Sequence, residues 1–122
     1  MANEPQNQED YDAVAWHSRY LSQAAPNLKL MVSEEPKPEI YNHANYVSNG
    51  QIDIWLAHYG MFFNPEISAD RLKNHGEETW LYWLESTYAP RFNPITIDHP
   101  GEESRMCGWF LWKHRLRGLG YY

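Results

Sequence analysis

Cysteine is almost missing from the chain. Cys107 stands alone, which excludes an internal disulfide and a metal cluster built on several thiolates, and which suits a reducing, cytoplasmic setting. Long apolar runs are missing as well, since no stretch approaches the roughly 18 uncharged apolar residues of a membrane-spanning helix. Residues Met1 to Asp12 are acidic and polar, unlike a signal or transit peptide. Aliphatic side chains are scarce: Leu, Ile and Val together number 19, no more than the aromatics, and with Phe they reach 23 of 122. That lies just under the roughly 20% below which a charged chain is suspected of disorder. Six Trp and nine Tyr reverse the suspicion, because each can bury on the order of 150 to 250 Å². The expectation is a flexible acidic tail over residues 1–8 and a single globular domain over 9–122.

Hydrophobic spacing points to a mainly α fold of four or five helices with irregular, Pro-rich connections. Ala13, Trp16, Tyr20 and Ala24 recur at helical spacing from about Glu9, and Pro26 ends the run. Leu28, Leu30 and Val32 alternate briefly before the stiff Pro36-Lys37-Pro38. Pro38 can open a helix carrying Ile40, Ala44 and Val47 as far as Gly50; the rival is a hairpin turning at Asn49-Gly50. Ile52, Trp55, Leu56, Tyr59 and Phe63 read as a helical stripe. Asn64-Pro65-Glu66 reads as the cap and first turn of a short helix ending at Asn74 to Gly76. Glu77 to Tyr88 reads as another helix, with Trp80, Leu81, Leu84 and Tyr88 on one face and Pro90 beyond it. After an irregular Arg91 to Glu103, with at most a short strand at Ile95 to Ile97, a last helix is expected from about Ser104 to Arg117, before Gly118 and Gly120 release the end. The alternative is an α+β fold with a small antiparallel sheet. Sliding the chain by 29 positions also lays Tyr59-x-x-x-Phe63-Asn64-Pro65 on Tyr88-x-x-x-Phe92-Asn93-Pro94, a spacing in the range of helical repeats.

Catalytic patterns are missing too. The six histidines, His17, His43, His58, His75, His99 and His114, form no H-E-x-x-H or H-x-H motif. The densest ligand set is Asp98, His99, Glu102 and Glu103, a run more in keeping with solvated charges than with a metal site. Cys107 sits among aromatic and apolar residues as packing rather than as a nucleophile. Neither a nucleophile elbow nor a phosphate loop occurs. No metal or cofactor is expected.

Charge says more than any motif. Residues 1 to 61 hold eight acids and three bases, whereas residues 104 to 122 hold no acid and four bases, Arg105, Lys113, Arg115 and Arg117. Trp109, Phe110, Trp112, Tyr121 and Tyr122 are interleaved with those bases. Of the readings this permits, nucleic acid ranks last, because the net charge of −6 opposes phosphates; peripheral membrane contact is weakened by having so few bases. Trp, Tyr and Arg are the residues that dominate protein interfaces. The expected function is a non-enzymatic protein-binding domain, either a small accessory subunit of a larger assembly or an acidic inhibitor, with Trp16, Trp55, Trp112, Arg115, Arg117, Tyr121 and Tyr122 as anchors. Trp109 and Phe110 are divided between core and contact surface. The alternatives are a small metal-dependent enzyme using the Asp98-His99-Glu102 loop, with His75 or His58, and a carbohydrate or other ligand stacked on exposed Trp and Tyr.

Overall fold

The computed structural model describes residues 5–46, 51–60, 63–84, 87 and 89–121, with Tyr121 described by its backbone alone. Four strands, β1 (Met31–Val32), β2 (Ile54–His58), β3 (Glu78–Trp83) and β4 (Gly118–Tyr121), form one sheet in the order β1-β2-β3-β4. All neighbours run parallel. Among the described residues there are four helices: α1 (Gln8–Ala24), α2 (Pro38–Tyr41), α3 (Pro65–His75) and α4 (Glu102–Lys113).

The mainly α expectation is thus overturned, and so is its antiparallel alternative. The error lies in two segments, Ile52 to Phe63 and Glu77 to Tyr88, whose apolar spacing mimics a helix. Every residue of β2 is buried. A strand covered on both faces gives a near-continuous apolar run rather than an alternation, and such a run is indistinguishable by period from a buried helix. Length and residue type favour strands, for Thr79 to Trp83 is rich in the β-branched and aromatic residues that fit a pleated surface. The helix expected from Pro38 ends at Tyr41, and the Asn49-Gly50 turn lies outside the described residues, as do residues 1–4 of the expected tail. Ile95 to Ile97 forms no strand, while the glycine-flanked end does: Gly118 to Tyr121 is β4.

Each crossover advances one strand in the same direction, and right-handed crossovers then put their helices on one face. Pleating aims Trp55 and Ala57 of β2, with Thr79, Leu81 and Trp83 of β3, toward that face. Two buried clusters form there. Toward β1, Ile40, Tyr46, Ile52 and Trp55 pack with Tyr11 and Val14 of α1; toward β4, Ala57, Leu81, Trp83 and Cys107 pack with Tyr59, Phe63, Phe92, Phe110 and Leu111. On the opposite face Trp80 lies across β4, so closely that a Cβ on Gly118 would stand 2.1 Å from its ring.

Glu77 joins the elements of the first cluster. Gly76 ends α3 in the left-handed region, φ 70°, where glycine has no steric cost. The turn brings the Glu77 carboxylate back under Arg71 of α3, which donates to both of its oxygens. Trp55 Nε1 donates to Oε2 at 2.7 Å and the Tyr46 hydroxyl to Oε1 at 2.8 Å. The Arg71 guanidinium covers the Tyr41 ring at 4.4 Å. Burial, then the charge and hydrogen bond of Glu77, push the Tyr46 hydroxyl pKa up, so it remains a donor.

Asn7 caps α1 by accepting from Asp10 N at 3.1 Å, as a short polar side chain does at a helix start. The helix is where the spacing put it, but Ala15 and Ser18 are its buried residues, and the stripe of Trp16 and Tyr20 faces outward. The 29-residue offset does not mark a repeated unit, because the strand register advances by 23 residues from Met31 to Ile54, 24 from Ile54 to Glu78 and 38 from Trp80 to Gly118. What the two Phe-Asn-Pro segments share is a local turn: Asn64 Oδ1 accepts from Glu66 N at 3.0 Å and Asn93 Oδ1 from Ile95 N at 2.9 Å, the bond of an Asx turn.

Candidate contact surface on helix α4

At about 100° per residue, Cys107, Phe110, Leu111 and His114 fall on one side of α4, and Glu102, Arg105, Met106, Trp109, Trp112 and Lys113 on the other. The first side is anchored. Phe110 meets Tyr59 at 5.0 Å, Phe63 at 5.6 Å and Phe92 at 5.6 Å between ring centroids, and His114 lies 4.5 Å from Phe110. Burial lowers the His114 pKa, with the Lys113 charge adding to the effect, which favours the neutral ring that packs there. Burial raises the pKa of the Cys107 thiol, so it stays protonated and inert.

The second side is bare. Met106 is 50% exposed, Trp109 68% and Trp112 77%. The two indoles meet edge to face at 6.4 Å. Burying both helix faces in this core is geometrically excluded, because the inner arc is already filled by the aromatic cluster. Three large apolar side chains are therefore held out on a rigid helix, flanked by exposed Arg105, Lys113, Arg115 and Arg117.

Arg115 adds a second unusual feature. The end of α4 closes with Leu116 N donating to Leu111 O at 2.9 Å, and Arg115 takes the left-handed position, φ 56°, that glycine normally fills. A Cβ in that region costs on the order of 1 kcal/mol. Arg115→Gly is accordingly expected to raise the thermal midpoint by a few degrees, read by circular dichroism; an unchanged or lower midpoint would show that Arg115 makes a compensating contact. A strained basic residue at the rim of an exposed aromatic face is the kind of local cost that accompanies a binding role.

The other expected anchors are distributed unevenly. Trp112, Arg115 and Arg117 come together at the end of α4. Trp16 sits on α1 at the other end of the sheet, 54% exposed and stacked on Tyr20 with centroids 5.9 Å apart. Trp55 is fully buried in the Glu77 cluster and offers no surface to a partner. Tyr121 is placed in β4 by its backbone, and Tyr122 lies outside the described residues. Sequence reasoning missed Met106 and Tyr20, and left Trp109 divided. The missed signal was that Cys107, Phe110 and Leu111 already make one complete apolar face, leaving Met106, Trp109 and Trp112 as a surplus second one.

Competing sites fare less well. Among the described residues the strand order does not reverse, so the sheet shows no switch point of the kind at which open parallel sheets bind ligands. His99 Nδ1 lies 2.7 Å from Glu103 Oε2, which also accepts from Asn93 N; among the described residues no three His, Cys, Asp or Glu side chains converge as a metal site would require. A groove of about 250 Å³ between the end of α1 and β1 is lined by Leu21, Leu28, Leu30 and Asp53, and its carboxylate is already engaged by Leu30 N. No family model matches the chain, and comparison with curated proteins and with solved structures finds no match. Among the described residues no helix is long and apolar enough to cross a membrane.

One cluster at the carboxyl end of β1 has its own chemistry. Glu34 and Glu35 share Lys37, at 3.2 and 3.4 Å. Burial, then the hydrogen bond and charge of Glu35, raise Glu34 from the ordinary 4.5 to about 8 against the opposing pull of Lys37. The folded chain thus holds a proton that the unfolded chain releases, so stability is highest below about pH 4.5 in this contribution and falls as pH rises toward 8. Wild-type midpoints should drop across that window by a few degrees more than those of Glu34→Gln; identical slopes would contradict the assignment.

Proposed function

We propose that the chain is a non-enzymatic protein-binding domain of a reducing intracellular compartment, acting as an accessory subunit or inhibitor and docking its partner on the outer face of α4. The observation that carries this reading is the exposure of Met106, Trp109 and Trp112 on a helix whose other face is locked into the core. Contiguous exposed apolar groups of this kind mark interaction sites, and Trp and Arg are the residues whose truncation most often weakens an interface. The surrounding bases, with no acid between residues 104 and 122, suit a partner segment that is acidic and apolar.

The test is co-purification of the full chain from the cells that make it, beside the double variant Trp109→Ala, Trp112→Ala. Hot-spot truncation costs about 2 kcal/mol or more, roughly thirtyfold in affinity. The variant should therefore lose its partner while its thermal midpoint stays close to wild type, because both side chains are exposed. Retention of the same partner by the variant would refute the assignment.

A further inference from the structure

The outer face of α1 mirrors that of α4 in aromatic content and opposes it in charge. At about 100° per residue, Glu9, Asp12, Trp16 and Tyr20 fall within one narrow arc, opposite the inward Tyr11, Val14, Ala15 and Ser18. Trp16 and Tyr20 are 54% and 58% exposed, and their rings are nearly parallel, 4° apart. Glu9 and Asp12 are exposed on the first turns; Asp12 is oriented by Gln8 and His43. The outer arc of α4 begins with exposed Glu102 and then holds Arg105, Met106, Trp109, Trp112 and Lys113, with Arg115 and Arg117 following its end. Along α1 the acids precede the aromatics, whereas along α4 one acid and one base, Glu102 and Arg105, precede the apolar residues and three bases follow them.

The two faces cannot satisfy one another within a chain. α1 packs on α2 and on the cluster toward β1, whereas α4 packs on the cluster toward β4. We infer that the partner of the α4 face is a second copy of this chain, which lays its α1 face antiparallel along α4. That alignment sets Glu9 and Asp12 against Lys113, Arg115 and Arg117, and Trp16 and Tyr20 against Trp109 and Met106. It also runs the two helix dipoles in opposite directions, each positive end beside a negative one. The inference rests on the α4 face being a contact surface, and it names the occupant by charge complementarity. Because the two patches differ, the contact is head to tail and leaves a free patch at each end, so assembly continues beyond a dimer unless a ring closes.

Sedimentation of the full chain with charge-swapped variants tests this. Variant one carries Glu9→Lys and Asp12→Lys; variant two carries Lys113→Glu and Arg115→Glu. Each double reversal moves the net charge of −6 by four, to −2 and −10 respectively, so both remain negative and do not attract one another through net charge. Wild type should form species larger than a dimer as concentration rises. Either variant alone should associate at least tenfold more weakly, and the equal mixture should recover wild-type association, while circular dichroism shows all three folded. A wild type that stays monomeric, or a mixture that stays dissociated, overturns the inference. If the wild type is monomeric but Trp109→Ala, Trp112→Ala still abolishes capture of a different protein, the α4 contact surface stands and only its occupant is wrong; if that variant changes neither readout, both readings fall.

Discussion

Glu77→Ala is expected to bring the protein close to global unfolding at room temperature. The side chain is 1% exposed, and its two oxygens accept four hydrogen bonds, two from Arg71 and one each from Trp55 and Tyr46. Removing it strands a buried guanidinium, and breaking one partner out of a buried pair costs about 3 to 5 kcal/mol. The indole and phenol donors are orphaned with it, each at roughly 1 to 3 kcal/mol. Total stabilities of domains this size are only about 5 to 15 kcal/mol. Arg71→Ala should be the milder change, because it leaves Trp55 and Tyr46 bonded to the carboxylate and because a carboxyl group can take up a proton whereas a guanidinium cannot release one. Urea unfolding followed by circular dichroism would show the order: Glu77→Ala lowest, Arg71→Ala next, wild type highest. A Glu77→Ala midpoint near that of wild type would mean the cluster is not what holds α3, β2 and the Tyr46 turn together.

Gly118→Val should rank second. The Cβ position lies 2.1 to 2.5 Å from three atoms of the Trp80 ring, well inside contact distance, so the indole must leave its seat on β4. Overpacking of this kind costs about 1 to 3 kcal/mol. The displaced ring also gives up the hydrogen bond from Trp80 Nε1 to Glu78 Oε2, 3.0 Å. A double-mutant cycle separates this clash from a general intolerance of side chains in β4. With Trp80→Ala in place, Gly118→Val should cost little, giving a coupling energy of about 1 kcal/mol or more. Additive effects would assign the glycine to backbone conformation instead.

How much of this was legible in the sequence depended on whether the signal was local. The caps were readable because their chemistry is contained in four or five residues: Asn64-Pro65-Glu66 opens α3 and Gly76 closes it where the sequence places them. Helix α1 was readable for the same reason. Strands β2 and β3 were not, since burial of every residue of β2 erased the alternation that would have announced it, and a five-residue aromatic run such as Thr79-Trp80-Leu81-Tyr82-Trp83 in β3 satisfies a helical template by accident. Strand β4 was hidden behind its glycines, which read as release signals until Trp80 is seen lying on one of them. The candidate site was half legible. Charge asymmetry singled out residues 104 to 122 and Trp112 correctly reads as exposed, but which face of α1 is inward depended on what packs against it, and Trp55 was drawn into the core by a carboxylate 22 residues away.

The claim on which the functional account turns is that the outer face of α4 is occupied in the cell. A photoreactive amino acid placed at position 109 or 112 of the full chain, and at exposed Leu28 as a control at the far end of the sheet, measures this directly. The account predicts a discrete protein adduct from positions 109 and 112 on irradiation and none from position 28. Equal labelling at all three positions, or no adduct at 109 and 112, would contradict it.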